Sequence, residues 1–125
     1  MREDETEMTN RKHLVFVYGT LKSGDRNNYL LKGSKFIQKD SIFGTLFDLG
    51  RFPALTDGHN KVYGEIWEIS DETLRRVDRL EGVPHLYSRH QIQTSHGTIK
   101  KPWVYKMAVN SPLLQNAKQI PSGDW

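Results

Sequence analysis

Residues 13–26 read HLVFVYGTLKSGDR. The run LVFVY (14–18) is continuously apolar, β-branched and aromatic, the pattern of a strand covered on both faces, so it is expected to lie centrally in a sheet. The chain then enters a loop with glycines at 19 and 24, the G-x-x-x-x-G spacing that opens a phosphate-binding loop. The rest of that motif is missing. Gly24 is followed by Asp25 and Arg26, where a lysine and a hydroxyl residue are required. An acid there repels phosphate, and no long amphipathic helix follows to offer its N-terminus. Two readings of the loop stay open: a cradle of backbone N–H groups at a strand end that holds a carboxylate or carbonyl, or a plain turn in which Gly19 supplies positive φ.

Outward from this strand, NNYLLKG (27–33) fits one or two helical turns closed by Gly33. FIQKDSIFGTLFDLG (36–50) and KVYGEIWEI (61–69) read as two strands of a curved sheet, with Gly44 and Gly64 as bulge or close-approach positions. SDETLRRVDRLEG (70–82) is the clearest helix: Ser70 is an N-cap, Asp71 and Glu72 lie at the positive end of the dipole, Leu74, Val77 and Leu80 form an apolar stripe, and Gly82 ends it. LYSRHQIQT (86–94) and IKKPWVYKMAV (99–109) flank SHG (95–97) and read as a hairpin, with Pro102 at an edge or bulge. The C-terminal stretch 111–125 carries a short turn and a closing aromatic, Trp125. Residues 1–12 read as a disordered tail that cannot bury enough surface to offset its ordering entropy. The expectation is one domain over 13–125, α+β, with a mostly antiparallel sheet curled into a small barrel.

With 125 residues, 36% apolar and 26% charged, the chain suits a single globular domain and one site. No apolar run approaches the roughly 18 residues of a membrane helix, and the acidic N-terminus lacks the apolar core of a signal segment, so a cytoplasmic protein with no membrane partner is expected. The absence of cysteine removes disulfides, thiolate metal sites and cysteine nucleophiles together, which leaves chemistry to oxygen, imidazole or amine. The charge of +3 and pI of about 9.2 come from scattered cations, which argues against a nucleic-acid partner. His13, His59, His85, His90 and His96 show no helical pairing and no adjacent carboxylate set, so no metal is expected. Thr20 and Ser23 lack a base partner in the sequence, which disfavours a hydroxyl nucleophile.

Glu81 falls at the last turn of the 70–82 helix, where orphan carbonyls and the negative end of the dipole disfavour a carboxylate. If Pro84, Leu86 and Tyr87 also screen it from water, its pKa rises and it becomes a general acid/base candidate. The other reading is a solvated glutamate paired with Arg79 or Arg89. Asp78, three residues earlier, reads as an arginine partner or cap. Tyr87 and Arg89 share a strand face and line a pocket, close the core or form an exposed pair; Trp103 and Tyr105 share a face in the same way and read as aromatic core.

VFVYGTLKSG, VYGEIWEI, LRRVDRLEGVPHLYSR and PWVYKM, in that order and with the ending SGDW, resemble the γ-glutamylcyclotransferase-like (AIG2-like) superfamily over residues 13–125. The stretch DRLEGVP is most similar to its small γ-glutamylamine cyclotransferase branch. The resemblance implies a five- or six-stranded barrel with one main helix and short flanking helices. It also implies cofactor-free release of an amine from a small γ-glutamyl amide with formation of 5-oxoproline. By matching position, Tyr18, Gly19, Thr20 and Leu21 would grip the γ-glutamyl group through their backbone, and Glu81 would be the catalytic carboxylate. Arg51, in the GRFPALTDG loop, would rim the pocket with Pro53, and Tyr87 and Arg89 would help bind substrate. A non-catalytic module of the same fold that holds a carboxylate or γ-glutamyl ligand is the alternative. The leaving amine and the oligomeric state are not encoded in these motifs.

Overall fold

The computed structural model describes residues 11–125. Of the tail expected over 1–12, the first ten positions lie outside the described residues, and the first strand already begins at Lys12. The elements run β1 (Lys12–Val17), a 3-10 turn (Asn28–Leu31), β2 (Lys35–Asp48), β3 (Pro53–Ser70), α1 (Asp71–Leu80), β4 (Ser88–Gln91), β5 (Trp103–Lys106), a second 3-10 turn (Pro112–Leu114) and β6 (Lys118–Gln119). They form one six-stranded sheet in the order β4-β5-β1-β3-β2-β6. Every neighbouring pair is antiparallel except β1 and β5, which meet in parallel at Val15 and Trp103. No helix among the described residues is long and apolar enough to cross a membrane.

β1 is central, as its unbroken apolar run requires. Val15 and Val17 pack on one face with Leu74 and Val77 of α1, while Phe16 and Tyr18 pack on the other with Ile42, Leu46, Val62 and Ile66. Burial on both faces removes the polar alternation that a half-exposed strand would show. α1 is capped as its sequence demands: the Ser70 hydroxyl accepts from the Thr73 N–H at 3.1 Å, and Gly82 adopts a positive φ of 63° beyond the last turn. The apolar stripe is shorter than expected. Leu74 and Val77 are buried, with Thr73 beside them, whereas Leu80 is 42% exposed because α1 ends there and clears the sheet.

Curl comes from the long β2–β3 ribbon and from contacts that fold its far end toward the β4–β5 hairpin. The ribbon register shifts between Gly44 and Thr45, the bulge anticipated at Gly44. β3 starts at Pro53, so much of the GRFPALTDG segment is paired strand rather than loop. After β4, the Ser95 N–H donates to the Ser41 carbonyl of β2 at 2.9 Å, and the buried Asp40 carboxylate accepts from the N–H groups of Ser41 and His96 at 2.8 and 2.9 Å. From β5, the Met107 N–H reaches the Leu55 carbonyl of β3 at 2.8 Å. These bonds roll the sheet into a half-barrel, and the rolled wall brings the end of α1 over the loop that leaves β1.

Gly64 marks where β1 and β3 are pressed closest. A Cβ at this position would lie 2.4 Å from the Val17 carbonyl oxygen and 2.6 Å from the Phe16 ring. Neither a backbone oxygen nor a fully buried ring can yield cheaply. Gly64→Ala is therefore expected to destabilise the protein by about 2–3 kcal/mol, read as a fall in the urea midpoint at unchanged slope.

Candidate active site

The loop after β1 turns tightly, with the Lys22 N–H donating to the Gly19 carbonyl at 3.1 Å and the Asn27 N–H to the Thr20 carbonyl at 2.9 Å. Side chains hold it as well: Asn27 Nδ2 donates to Thr20 Oγ1 at 2.9 Å and Asn28 Nδ2 to the Leu21 carbonyl at 2.8 Å. The carbonyls are thus occupied, whereas no described residue accepts from the N–H groups of Gly19, Thr20 or Leu21. Gly19 is not a positive-φ residue. It is needed for a close approach instead, since a Cβ there would meet Pro53 Cγ at 2.7 Å. The turn-only reading of this glycine gives way to one in which β3 presses its first residue onto the loop.

The same loop residues border a narrow cleft lined by residues 16–21, by Phe52 and Pro53, by Glu81 at the end of α1, and by Tyr87 and Tyr105 of the hairpin. Its interior measures about 30 Å³, enough for one or two waters. Glu81 is the C-cap residue of α1; its N–H donates to the Val77 carbonyl at 2.9 Å while its side chain turns into the cleft. Among the described residues no cation pairs with it. Burial pushes its carboxyl up to about 7, because the charged form loses hydration and gains no ion pair. The tyrosines that share the cleft stay protonated: burial, reinforced by the nearby Glu81 charge, raises the Tyr18 and Tyr87 hydroxyls well above their ordinary value. Tyr18 donates to the Tyr105 carbonyl at 2.7 Å and Tyr87 to the Pro53 carbonyl at 2.8 Å, so both rings act as struts.

The cleft thus unites Tyr18, Gly19, Thr20, Leu21, Glu81 and Tyr87, together with Pro53. It does not include the two arginines. Arg51 is exposed on the β2–β3 turn, where its carbonyl accepts from the Arg26 guanidinium. Arg89 stands behind the cleft wall, with Nε 2.8 Å from Asp78 Oδ1 and its guanidinium 4.2 Å from the Trp103 ring centroid. Asp78 is the arginine partner its position suggested, which leaves Glu81 free of Arg89.

Three contributors were missed. Phe52 and Tyr105 line the cleft, yet an aromatic that closes a pocket has the same pattern as one that closes a core. The third, Glu65, is a buried carboxylate of β3 that accepts from the Ser23 N–H at 2.8 Å, the Ser23 hydroxyl at 3.1 Å and Trp67 Nε1 at 3.1 Å. It clamps the loop from behind. An acid set between the apolar residues Val62, Ile66 and Ile69 of β3 was the available signal. A larger groove of about 760 Å³ lies elsewhere, near His13, Ile37 and Thr98. Its lining includes the exposed Lys12, Ile99 and Lys100, so it is open to solvent, unlike the narrow cleft.

Comparison with known proteins gives one family. The profile described as "Gamma-glutamyl cyclotransferase, AIG2-like" matches residues 15–125. A Vibrio cholerae protein provisionally named a γ-glutamylcyclotransferase is 40% identical over 119 residues, 91% of this chain and 96% of its own. The γ-L-glutamyl-butirosin B γ-glutamyl cyclotransferase of Niallia circulans is 36% identical over 100 residues, 73% of this chain and 64% of its own. Among solved structures, a mouse AIG2-like protein shares the fold with a TM-score of 0.76 at 24% identity, covering 92% of this chain and 88% of that one.

The buried carboxyl has a consequence for stability that is independent of any reaction. Its folded pKa, about 7, exceeds the unfolded 4.5, so the folded state holds the extra proton between these values. The native state is therefore penalised progressively as pH rises through that window. Glu81→Gln, always neutral, is expected to gain stability relative to wild type by about 3 kcal/mol between pH 4.5 and 7.5, measured as the pH dependence of the difference in urea unfolding free energy.

Proposed function

The chain belongs to the γ-glutamyl cyclotransferase, AIG2-like family, and on that footing we propose that it cleaves a small γ-glutamyl amide to 5-oxoproline and a free amine, with Glu81 as the proton carrier. The observation that carries the reading is one narrow cleft lined both by a desolvated carboxyl, which no cation among the described residues pairs with, and by residues 19–21, whose N–H groups no described residue accepts from.

In the proposed reaction the α-amino nitrogen of the γ-glutamyl group attacks its own γ-carbonyl carbon. A C–N bond forms to close the five-membered lactam, and the C–N bond to the departing amine breaks. Glu81 takes one proton from the α-ammonium and returns it to the leaving nitrogen, and the second proton shed by the ring nitrogen follows to the departing amine, which leaves as its ammonium, so no water is consumed and the carboxyl ends as it began. A carboxyl with a pKa near the operating pH suits both halves of that transfer. The developing negative charge on the γ-oxygen meets the loop amides, which are held by Asn27, Asn28 and Glu65 and need little reorganisation. Because nucleophile and electrophile belong to one molecule, the cleft's main task is to hold them in the cyclising conformation.

The test is 5-oxoproline release from a panel of γ-glutamyl amines and γ-glutamyl peptides. Wild type is expected to release it from at least one class, and Glu81→Gln to lose about a hundredfold or more in rate while still binding. With Glu81 acting first as base, kcat/KM should rise through pH about 7 and level off above it. Binding without release from any substrate would favour a non-catalytic ligand-binding role for the same cleft, and an unchanged Glu81→Gln rate would remove the carboxyl from the chemistry.

A further inference from the structure

Tyr105 occupies the cleft with Glu81, yet a phenylalanine would fill its apolar contacts equally well. Its hydroxyl has one specific engagement, a 2.6 Å hydrogen bond donated to Asp78 Oδ1. The same carboxylate oxygen accepts from Arg89 Nε at 2.8 Å, and the Arg89 guanidinium is stacked on Trp103 at 4.2 Å. α1, β4 and β5 each contribute to this chain, and the Tyr105 carbonyl is fixed in turn by the Tyr18 hydroxyl at 2.7 Å. Few orientations are left to the phenol. Burial, then the bond to and charge of Asp78, raise its pKa, so the proton stays on oxygen and is committed to Asp78. Tyr105 lines the cleft, and its oxygen keeps acceptor capacity beyond the bond it donates.

The cleft is accordingly two-sided. The N–H groups of residues 19–21 are donors in search of an acceptor, while the Tyr105 hydroxyl oxygen and the Glu81 carboxylate are acceptors suited to a cation. A γ-glutamyl group carries the matching pair, a carbonyl and an α-ammonium. Building on the γ-glutamyl reading above, we propose that Tyr105 is a substrate-contacting residue whose hydroxyl oxygen accepts a hydrogen bond from the α-ammonium. Asp78 and Arg89 are then the positioning residues that turn it to do so. One N–H of the ammonium is held by Tyr105 while another faces Glu81 for removal, which aims the freed lone pair at the γ-carbonyl. The pair Asp78–Arg89 thereby has a role beyond joining α1 to the hairpin.

The experiment uses Glu81→Gln, which should bind without turnover, and two probes: γ-glutamyl methylamide and its counterpart lacking the α-amino group, glutaric acid monomethylamide. Calorimetry on the Glu81→Gln parent should show tighter binding of the amine-bearing compound. Addition of Tyr105→Phe should shrink that preference by about tenfold or more, the size of one lost hydrogen bond to a charged group, with binding of the deaminated compound little changed. Addition of Asp78→Asn instead, which keeps an acceptor for the phenol but not the charge, should shrink it by less and gives a second variant should the first fail to fold. A preference that is absent from the parent, or unchanged by Tyr105→Phe, would overturn the assignment of Tyr105 alone. A parent that binds neither compound would overturn the γ-glutamyl reading and this inference together.

Discussion

A carboxylate taken out of water must be met by a cation, by hydrogen bonds or by a proton, and among the described residues neither a cation nor a hydrogen-bond donor is paired with the Glu81 carboxyl. The surrounding architecture enforces that condition. α1 ends at the rim and carries Glu81 inward as its cap; Pro53 and Phe52 close one side, Tyr87 and Tyr105 the other. The nearest arginine is held away because Asp78 takes it first, with Trp103 stacked on its guanidinium. Had Arg89 paired with Glu81, the same helix end would carry an ordinary ionised acid.

Opposite the carboxyl, the amides of residues 19–21 depend on rigidity of a different origin. A loop is a poor platform unless its neighbours fix it. Here β1 enters from the middle of the sheet, Pro53 bears on Gly19, the two asparagines occupy the loop's carbonyls, and Glu65 clamps Ser23 from the strand behind. Lys22 adds a tie to the C-terminal segment, with Nζ 3.1 Å from Asp124 and 3.0 Å from the Trp125 carbonyl. The loop and Glu81 thereby line one cleft whose walls are tied in place, the rigidity that the proposed intramolecular acyl transfer calls for.

Much of this was legible in the chain because local physics wrote it there. The unbroken apolar run of β1, the Ser70 cap, the Gly82 stop and the placement of Glu81 just before it are dictated by residues close in sequence. What escaped depends on partners far away. The early start of β3 is set by pairing with β2, the parallel contact of β1 with β5 joins strands separated by β2, β3, α1 and β4, and the exposure of Leu80 is set by the end of α1. At the site, YGTL and Glu81 were readable as a strand-end loop and a helix-end acid, and their resemblance to a known family joined them. Arg51 was drawn toward the pocket by the resemblance of its loop, and Arg89 by strand alternation. Alternation gives a face but not a depth: Arg51 lies exposed on the β2–β3 turn, and the Arg89 guanidinium is taken by Asp78.

The proposed chemistry depends on the state of one proton, so the most direct measurement is the titration of the Glu81 side-chain carboxyl by carbon-detected NMR on the free protein. A midpoint near 7, displaced from the 4.5 of an exposed glutamate, is the expected result. A midpoint close to 4.5 would mean that the carboxyl is wet or paired, and would contradict the desolvated acid on which the cleft's chemistry rests.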